Sequence, residues 1–566
     1  MPITLAHLPV LVADGQSTGA SPAHGHLLEL GWAPTHAALG EDALQVDARL
    51  IALPDGATIP RPVARLTGIT VEHLADASPV AEVWAALCEA ASGDPTPRPV
   101  VIHYARFESA FLHALHEQLA PQQPFPLRLV CTHEIARRLL PQLPRRGLRA
   151  LAGYFGLGVD ELKRSAEHVH ATALVWRHVV QQLDEEHAID TLEALEAWLA
   201  EPAPKPSARH AYPMDRDKRL ALPDAPGVYR MTRLDGDVLY VGKARSLRRR
   251  VNGYFRQHRR VAEHTLQMLT QARDLRVTTT ANALEAALLE SDEIKALDPP
   301  YNVMLRTAGR GIWYGASDLR SWRPAPDRRH RRGPFTSRAV LSAWPALLDL
   351  WAEPPAGTVV LPWVDAEIDA PTWRAGAEQF TETWLDGRCP RAIATLVGAG
   401  TQIGEAWRDA AEAAAAERGE TDGVESEPTE PAEPGPESGE RPWDPSRVVE
   451  ALERMVGQGA LELRRAAWLP RLANAAVAWE RPDGRWRSLV VEGGRVVHRE
   501  DRTDTSALPV VRAAAPTIFD VPTFDRLRVL TTELRRIVAG GRVVRLQLGR
   551  RPLLSGARLV RTLRTV

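Results

Sequence analysis

Tyrosine and lysine side chains are spaced along a predicted hairpin in the middle of this 566-residue sequence. Tyr229 ends one short apolar run and Tyr240 lies in the next, with the polar turn Asp235-Gly-Asp237 between them. An Asp-Gly turn between two apolar runs predicts a two-stranded hairpin, here with one tyrosine on each strand. A phenol is a weak base with a pKa near 10, so a nearby cation such as Lys243 is needed for Tyr240 to accept a proton.

A helix that carries an arginine and a third tyrosine is predicted directly after the hairpin. Ser246 is a suitable N-cap for a helix from Leu247 to His258. Arg250 and Tyr254 are four residues apart, so they share one face of this helix. A guanidinium beside a phenol can stabilise the charge that develops on a phosphate group.

A second predicted helix begins near Asn282, which forms a capping-box pattern with Glu285. Glu290 lies at the rim of the apolar or small face of this helix, and burying a carboxylate there is costly unless it pairs or binds a metal. By itself Glu290 is more typical of a glutamate that reaches solvent at the helix surface. The face that it borders comprises Leu284, Ala287, Leu288, Ser291, Ile294 and Leu297.

Together these segments resemble the GIY-YIG nuclease domain of the UvrC and Cho excision-repair endonucleases. The similar segments are Leu222–Tyr229, Leu239–Ala244, Leu247–Arg250, Tyr254–Phe255, Glu285–Glu290, Ile294–Lys295 and Pro300–Asn302. The resemblance implies hydrolysis of a DNA phosphodiester bond with one divalent ion, Mg²⁺ or Mn²⁺.

The resemblance also implies a role for each residue of this module. Glu290 would be the only protein carboxylate on the metal, which suits Mg²⁺ because this ion keeps several waters. Tyr240 would be the base toward the attacking water, with Lys243 lowering its pKa, and Arg250 would stabilise phosphate charge. The remaining members of the set would position water and phosphate through hydroxyl groups or tie the loop to the site, namely Tyr229, Tyr254 and Asn302.

Candidate DNA contacts flank this module. They are the arginines Arg248, Arg249, Arg328, Arg329, Arg331 and Arg332, which would meet phosphates without reading sequence. Segment 328–338, which ends in Gly-Pro-Phe-Thr-Ser-Arg, resembles the segment that follows the GIY-YIG domain in UvrC-like proteins. A solvated basic loop is an equally good interpretation. Trp322 and Phe335 would either stack on bases or belong to a core.

The N-terminal part alternates predicted strands and helices, which indicates an α/β domain. Strands are predicted at Pro9–Ala13 and Val100–His103. Helices are predicted around Ala81–Ala91, Glu108–Leu119 and Leu148–Phe155. The segments Val10–Asp14, Thr18–Gly19, Leu28–Gly31, Leu66–Thr70, His103–Glu108, Ala136–Arg137 and Gly147–Leu151 resemble a DnaQ-like 3′–5′ exonuclease of the DEDDh class, with an RNase H-like fold.

The active-site positions of that exonuclease class are altered here. Where the resemblance implies four carboxylates and a histidine, an ungapped alignment gives Asp14, Gln16, Glu108, Lys163 and His168. Two Mg²⁺ ions held about 4 Å apart need dense negative charge. We therefore expect exonuclease chemistry to be lost or weakened. The alternative is a remodelled site that binds Mn²⁺, in which Glu108, Glu167 or Glu29 compensates.

Charge and composition bound the remaining regions. The net charge is −1, but residues 219–306 hold fifteen Lys/Arg against ten Asp/Glu, and residues 417–440 hold nine acidic residues against one basic. Three widely spaced cysteines indicate neither a zinc site nor a disulfide framework. Neither a signal peptide nor a membrane span is expected, which favours a cytoplasmic protein.

The sequence thus predicts a multidomain α/β and α+β protein. Its expected parts are an exonuclease-like domain at 7–182, a linker at 200–218, the GIY-YIG domain at 219–306, a basic Trp-rich region at 307–410, a disordered acidic linker at 415–441 and a small α+β region at 442–566. In the last region we predict a hairpin of Ala475–Trp479 and Ser488–Glu492, a helix near Phe524–Val538 and a strand near Val543–Leu548.

The favoured function is a repair endonuclease that makes a single incision in DNA, because no second nuclease site is recognised. Excision repair is the process that the resemblance implies, with UvrB-like damage-recognition proteins as possible partners. Two alternatives stay open. One is an active 3′–5′ exonuclease with an unusual metal site, and the other is a noncatalytic DNA-binding scaffold associated with replication.

Overall fold

The computed structural model describes residues 3–40, 44–93, 97–158, 162–203, 210–256, 261–306, 309–361, 366–417, 442–512 and 517–564. The chain divides into two compact units. Unit 1 comprises residues 1–286 and 296–304, and unit 2 comprises residues 287–295 and 305–566.

Unit 1 begins with a five-stranded mixed sheet. Its strands are β1 (Val10–Ser17), β2 (Leu27–Thr35), β3 (Asp47–Leu50), β4 (Val100–Ile102) and β5 (Leu129–Cys131). Their order is β3-β2-β1-β4-β5, with β1 antiparallel to β2 and parallel to β4. The apolar runs of β1 and β4 are fully buried, as expected of strands covered on both faces. The predicted α/β character is confirmed, although β1 continues through Asp14 instead of ending there.

Helices cover this sheet, and a 3-10 helix lies at Glu72–Asp76. The helices are α1 (Arg61–Thr67), α2 (Val80–Ser92), α3 (Arg106–Leu119), α4 (Thr132–Leu139), α5 (Leu148–Tyr154), α6 (Ser165–His187) and α7 (Leu192–Ala200). The three predicted helices correspond to α2, α3 and α5. A buried stripe on α6 that includes Val169, Trp176 and Leu183 packs into the same core as Val12.

The middle of the chain contains a three-stranded antiparallel sheet, ordered β7-β6-β8. Its strands are β6 (Gly227–Thr232), β7 (Val238–Ala244) and β8 (Asp274–Thr279). The predicted hairpin is confirmed as β6 and β7, but β8 was not predicted. The associated helices are α8 (Arg216–Leu220), α9 (Leu247–Tyr254), α10 (Glu263–Gln271) and α11 (Ala283–Leu297), and residues 287–295 of α11 belong to unit 2.

Both predicted helix starts are confirmed, whereas two details differ. The Ser246 side chain accepts a hydrogen bond from the Arg249 N–H, and the Asn282 side chain caps Glu285 in the same way. Helix α9 ends at Tyr254, because the backbone of residues 255–256 has already left the helical path, and His258 lies outside the described residues. Leu297 is 45% exposed, so it lies outside the apolar face to which the sequence assigned it.

Within unit 1, helix α5 packs against α10. Gly153 makes this approach possible, since a Cβ there would lie 1.8 Å from the Gln271 Oε1. Arg145 Nε donates to Glu263 at 2.6 Å, and an Arg273 guanidinium nitrogen donates to the Tyr154 carbonyl at 3.0 Å. The exonuclease-like fold and the hairpin module are therefore in direct, specific contact.

Unit 2 contains antiparallel sheets and long helices. Its strands are β9 (Trp313–Gly315), β10 (Trp322–Arg323), β11 (Arg332–Phe335), β12 (Thr358–Leu361), β13 (Ala366–Asp369), β14 (Ala475–Glu480), β15 (Trp486–Glu492), β16 (Arg495–Arg502), β17 (Val544–Leu548) and β18 (Leu554–Ser555). Its helices are α12 (Ala339–Ala352), α13 (Ala370–Trp384), α14 (Ile393–Glu417), α15 (Pro445–Leu472), α16 (Val521–Ala539) and α17 (Gly556–Arg564).

The predicted C-terminal hairpin is confirmed as β14 and β15, in a five-stranded sheet ordered β16-β15-β14-β17-β18. The predicted helix and strand correspond to α16 and β17, and β18 and α17 follow them. Helix α15 was not predicted. It packs through Leu452 and Val456 into the core formed by α12 to α14, so the regions on either side of the acidic tract share one core.

The predicted acidic linker lies largely outside the described residues, and the predicted linker at 200–218 does so in part. Residues 204–209 and 418–441 are not described, while residues 415–417 continue helix α14. The helical start of the acidic tract corrects the expected linker boundary, because its Ala- and Glu-rich sequence favours helix. Among the described helices, none is long and apolar enough to span a membrane.

Candidate nuclease site

Strand pairing brings the tyrosines of unit 1 onto one face of the β6–β7 hairpin. Tyr229 pairs with Gly242, and Met231 pairs with Tyr240. Paired residues share a face of a sheet, so both tyrosine rings lie over Gly242. A Cβ at Gly242 would lie 2.4 Å from the Tyr229 hydroxyl and 2.7 Å from the Tyr240 ring. Only glycine leaves room for both rings.

Helix α9 adds Tyr254 and Arg250 to this cluster. The hydroxyl groups of Tyr229 and Tyr254 are 2.9 Å apart, and an Arg250 guanidinium nitrogen lies 3.4 Å from the Tyr254 hydroxyl. The Tyr240 ring is tilted against Tyr229 and edge-on to Tyr254. The structure thus brings together four of the residues that the sequence selected.

Burial sets the electrostatics of this cluster. Tyr229 is fully buried, and burial together with the neighbouring Tyr254 and Tyr240 raises the pKa of its phenol well above 10, which the Arg250 charge only partly offsets. Tyr229 therefore stays protonated and acts as a hydrogen-bond donor or acceptor. Tyr240 is only half-buried, which leaves it the more accessible tyrosine of the hairpin.

Asn302 holds the strand that carries Tyr240. Its Oδ1 accepts from the Val241 N–H and its Nδ2 donates to the Val241 carbonyl, both at 2.9 Å. This buried pair of bonds fixes the backbone next to Tyr240. The neighbouring Tyr301 receives a hydrogen bond from Gln271 and lies under the Arg149 guanidinium of helix α5, so the exonuclease-like fold supports the same loop.

Lys243 is three residues beyond Tyr240 on β7. Successive side chains of a strand point to opposite faces, so the register alone does not bring the two onto one face. The effect of Lys243 on the Tyr240 phenol stays a prediction. The Arg250 charge acts on the tyrosine cluster through Tyr229.

Glu290 is half-buried on helix α11, in the part of this helix that belongs to unit 2. Two ion pairs fix that part against helix α16. Lys295 Nζ lies 3.1 Å from the fully buried Asp525, and Arg526 lies 2.8 Å from Asp292. Arg310 also binds Asp525, with distances of 2.7 and 2.9 Å. This network could not be predicted from the sequence, because its partners are far apart along the chain.

The candidate DNA-contacting arginines are mostly exposed. Arg248 and Arg249 lie at the start of α9, where Arg248 donates to the Leu222 carbonyl at 2.7 Å and Arg249 lies 3.6 Å from Asp224. Arg328, Arg329 and Arg331 are exposed, and Arg332 is half-buried.

The loop that carries the second arginine group is held by a buried histidine. His330 contacts Asp327 at 2.9 Å and Ser321 at 2.9 Å. Phe335 is 3% exposed and belongs to a core, so its core interpretation is correct. Trp322 is half-buried and packs edge-on against it.

The N-terminal fold contains a cleft of about 780 Å³, and four of the five residues selected from the sequence line it. Asp14, Gln16, Glu108 and His168 are in the cleft wall, whereas Lys163 is exposed and not among the lining residues. Sequence reasoning missed the rest of the wall, although the segment His103–Glu108 pointed to part of it. These further lining residues include His103, Tyr104, His133, Arg145 and Arg146.

The Asp14 carboxylate in this cleft forms hydrogen bonds to two other residues of the cleft wall. Asp14 Oδ1 lies 3.1 Å from His168 Nδ1, and Asp14 Oδ2 accepts from Gln16 at 3.0 Å. Burial lowers the pKa of His168, but the hydrogen bond and charge of Asp14 outweigh it and raise the pKa overall. Burial, with the Asp14 charge, raises the pKa of Glu108 to about 8. At neutral pH this site therefore holds little net negative charge.

Two of the carboxylates proposed as replacements, Glu29 and Glu167, already accept hydrogen bonds from other groups. Glu29 is 1% exposed and binds Arg164 and the Ser165 N–H. Glu167 is exposed and accepts from the Lys163 N–H at 2.6 Å. Within the described ranges, no group of three or more His, Cys, Asp or Glu residues is arranged to hold a metal ion. The donor set of the cleft does not fit the two-metal site of an exonuclease.

The raised pKa of Glu108 predicts a pH-dependent stability. The pKa of Glu108 in the folded protein, about 8, lies above the ordinary 4.5. The contribution of protonated Glu108 to the free energy of unfolding is therefore fully present below pH 4.5 and is lost as the pH rises to about 8. Glu108→Gln cannot ionise, so it should not show this loss. Relative to the wild type, its free energy of unfolding should rise by about 1.4 kcal/mol for each pH unit over that range. Unfolding of both proteins at pH 5 and pH 8 measures it. If the free energies of unfolding of Glu108→Gln and the wild type differ by the same amount at both pH values, Glu108 does not titrate in this range.

Comparison with known proteins identifies the middle of the chain. Residues 225–303 match the family described as "UvrC-like GIY-YIG domain". The chain contains a UvrC-like GIY-YIG domain. A "UvrABC system protein C" of Chlorobaculum tepidum is 38% identical over 145 residues, 25% of this chain and 23% of that protein. The GIY-YIG domain of Thermotoga maritima UvrC, solved with magnesium, is 34% identical over 16% of this chain and 94% of that structure, with a TM-score of 0.14.

A further relative extends the similarity beyond the GIY-YIG domain. A "putative bifunctional exonuclease/endonuclease protein" of Mycobacterium tuberculosis is 32% identical over 297 residues, 51% of this chain and 44% of that protein. Escherichia coli exonuclease I covers 40% of this chain at 13% identity, with a TM-score of 0.28. The similarity to the Mycobacterium protein is thus longer than the UvrC-like match over residues 225–303, and the chain spans less than half the length of the curated relatives named here.

Proposed function

We propose that this chain is a DNA endonuclease that makes a single, metal-dependent incision with its GIY-YIG domain. The observation that carries the proposal is the tyrosine cluster, in which Tyr229, Tyr240 and Tyr254 converge beside Arg250. The UvrC-like match over residues 225–303 supports it. Cleavage of damaged DNA in excision repair, with a UvrB-like protein that finds the lesion, is part of the proposal.

Each residue of the cluster has a proposed task. Tyr240 takes a proton from the attacking water, because it is the accessible tyrosine of the hairpin. Tyr229 stays protonated and orients the Tyr254 hydroxyl toward the phosphate. Arg250 stabilises negative charge that develops on the phosphoryl oxygens. Asn302 keeps the Tyr240 strand in place through its two bonds to Val241.

The proposal includes one magnesium or manganese ion. Glu290 would hold it as the only protein carboxylate, with water and phosphate oxygens as the other ligands. When bound, such an ion polarises the phosphoryl oxygen and stabilises the leaving oxygen.

The proposed domain boundaries remain those predicted from the sequence, with the GIY-YIG domain at 219–306 and the RNase H-like domain at 7–182.

We propose further that the N-terminal region is accessory. The pairing of Asp14 with His168 and of Glu29 with Arg164 argues against exonuclease chemistry. A linear duplex with an internal lesion, labelled at its 3′ end, tests both proposals in one reaction. We expect one discrete fragment with Mg²⁺ and no mononucleotide. Mononucleotide that disappears in Asp14→Ala would establish the exonuclease alternative, and binding without any product would establish the scaffold alternative.

A further inference from the structure

Five arginines are gathered on three consecutive helices of unit 2. They are Arg408 on α14, Arg464 and Arg465 on α15, and Arg528 and Arg535 on α16, and we refer to them as the arginine cluster. All five are half-buried. Gathering positive charges in this way destabilises the fold, because like charges repel each other.

The contacts between these helices place the arginines along one seam. Trp468 Nε1 donates to Thr531 Oγ1 at 3.0 Å, which joins α15 to α16. Arg464 and Arg465 are four and three residues before Trp468, and Arg528 and Arg535 are three and four residues from Thr531. Residues at these spacings share a helix face, so both pairs border the α15–α16 seam.

Helix α14 approaches the same region through a small residue of α15. A Cβ at Gly457 would lie 2.8 Å from the Trp407 ring, so α14 and α15 are in close contact there. Trp407 itself is 41% exposed and is followed by Arg408. An exposed indole beside a guanidinium offers stacking as well as charge to a ligand.

Arg465 lies among like charges that its nearby carboxylate offsets only in part. Burial lowers the pKa of Arg465 to about 10, and Arg528 and Arg535 lower it further, against an opposing effect of Glu462. Burial also raises the pKa of Glu462, which weakens it as a counter-charge. Among the described residues, no ion pair involves Arg408, Arg465 or Arg528.

The end of the chain adds an independent signal. Residues 534–566 contain nine arginines and no Asp, Glu or Lys. On helix α17, Leu559 and Leu563 are buried, whereas Arg558, Arg561 and Arg564 are exposed. Helix α17 therefore packs through its leucines and presents its arginines to solvent. A near-neutral chain has thus concentrated positive charge in this one part of unit 2.

We propose that the arginine cluster, with the exposed arginines of α17, binds the phosphate backbone of nucleic acid. Guanidinium groups bind phosphate oxygens with two parallel hydrogen bonds, and a polyanion relieves the repulsion among them. The choice of nucleic acid as the ligand rests on the proposed nuclease function. The surface would hold DNA independently of the cleavage chemistry of the GIY-YIG domain.

Binding is measured on the full chain carrying Glu290→Gln, so that cleavage does not interfere. The probe is a fluorescent 30-base-pair duplex, titrated by anisotropy over a series of NaCl concentrations. Adding Arg465→Gln and Arg528→Gln to this variant should weaken DNA binding at least about tenfold. Losing one charged hydrogen bond already lowers the affinity by about this factor, at the lower end of its range. The slope of log K against log salt should fall by about 0.9 for each lost phosphate contact.

The matched control is Arg320→Gln with Arg454→Gln, which removes the same charge from exposed ion pairs elsewhere in unit 2. It should leave the salt slope unchanged. Without DNA, the Arg465/Arg528 variant should unfold at the wild-type temperature or above, because it loses like-charge repulsion.

A second variant, Arg558→Gln with Arg561→Gln, tests the exposed part of the surface without touching the core. It should also lower the slope. Unchanged affinity and slope in both variants would overturn the proposal, as would an equal loss in the matched control. The result does not depend on whether the wild-type chain cleaves DNA.

Discussion

Glu290→Gln should reduce incision of DNA by at least about a thousandfold while the protein still binds DNA. The carboxylate is the one protein charge that the proposed metal meets, and the amide that replaces it is neutral and of the same shape. Losing a single preorganised electrostatic contact in an active site costs about a hundred- to a thousandfold, and losing the metal as well removes its Lewis-acid effect. Single-turnover cleavage and DNA binding are measured on the same preparations.

The same substitution three residues later is the matched control for this prediction. Glu293→Gln changes the same charge on the same helix, and Glu293 has no proposed metal role. Its incision rate should stay within a few-fold of the wild type. Equal rates for the wild type and Glu290→Gln would remove Glu290 from the mechanism.

Asp525→Asn should destabilise unit 2 by about 3–5 kcal/mol. Asp525 is fully buried and pairs with both Lys295 and Arg310, and removing one partner of a buried pair leaves uncompensated charge. Burial already lowers the pKa of Lys295, so part of the cost will appear as release of its proton. Urea unfolding measures the loss.

The Asp525 network also has a consequence for incision, because it holds the segment of α11 that carries Glu290. In Asp525→Asn we expect a lower kcat with DNA binding retained, at a temperature where the protein is still folded. Asp483→Asn, on an exposed hairpin turn of unit 2, is the control and should change stability by less than about 0.5 kcal/mol. Full stability and full activity of Asp525→Asn would show that this network does not position the helix.

The local parts of the candidate site were predictable from the sequence. The β6–β7 hairpin follows from its Asp-Gly turn, and the start of α9 follows from Ser246. These features depend on neighbours within a few residues, which a single sequence displays. The same reasoning placed Arg250 and Tyr254 on one face, and their 3.4 Å contact is consistent with it.

Features that join distant segments were not predictable in this way. Strand β8 pairs with β6 across an intervening pair of helices, and its alternation is limited to Leu275 and Val277 within six residues. The bonds of Asp525 to Lys295 and Arg310 span more than 200 residues. Neither partner looks unusual in its own segment, so only the folded chain shows that they meet.

The exonuclease-like cleft could be predicted from the sequence only in part. The alignment placed His168 where the related class has an aspartate, and the structure puts it 3.1 Å from Asp14. The sequence therefore identified four of the residues that line the cleft, although Lys163 is not among them. It did not show that Arg164 neutralises Glu29, which removes a carboxylate that the remodelled-site alternative needed.

The most direct test of the central claim is incision of a closed circular duplex that carries lesions. A circle has no ends, so an exonuclease alone cannot act on it, and each single incision converts it to the open form. The purified chain is incubated with Mg²⁺, with and without UvrB-like damage-recognition proteins, and then with EDTA. We predict open circles that depend on Mg²⁺ and are absent for Glu290→Gln. Circles that stay closed under all of these conditions, in the presence of bound wild-type protein, would contradict the account.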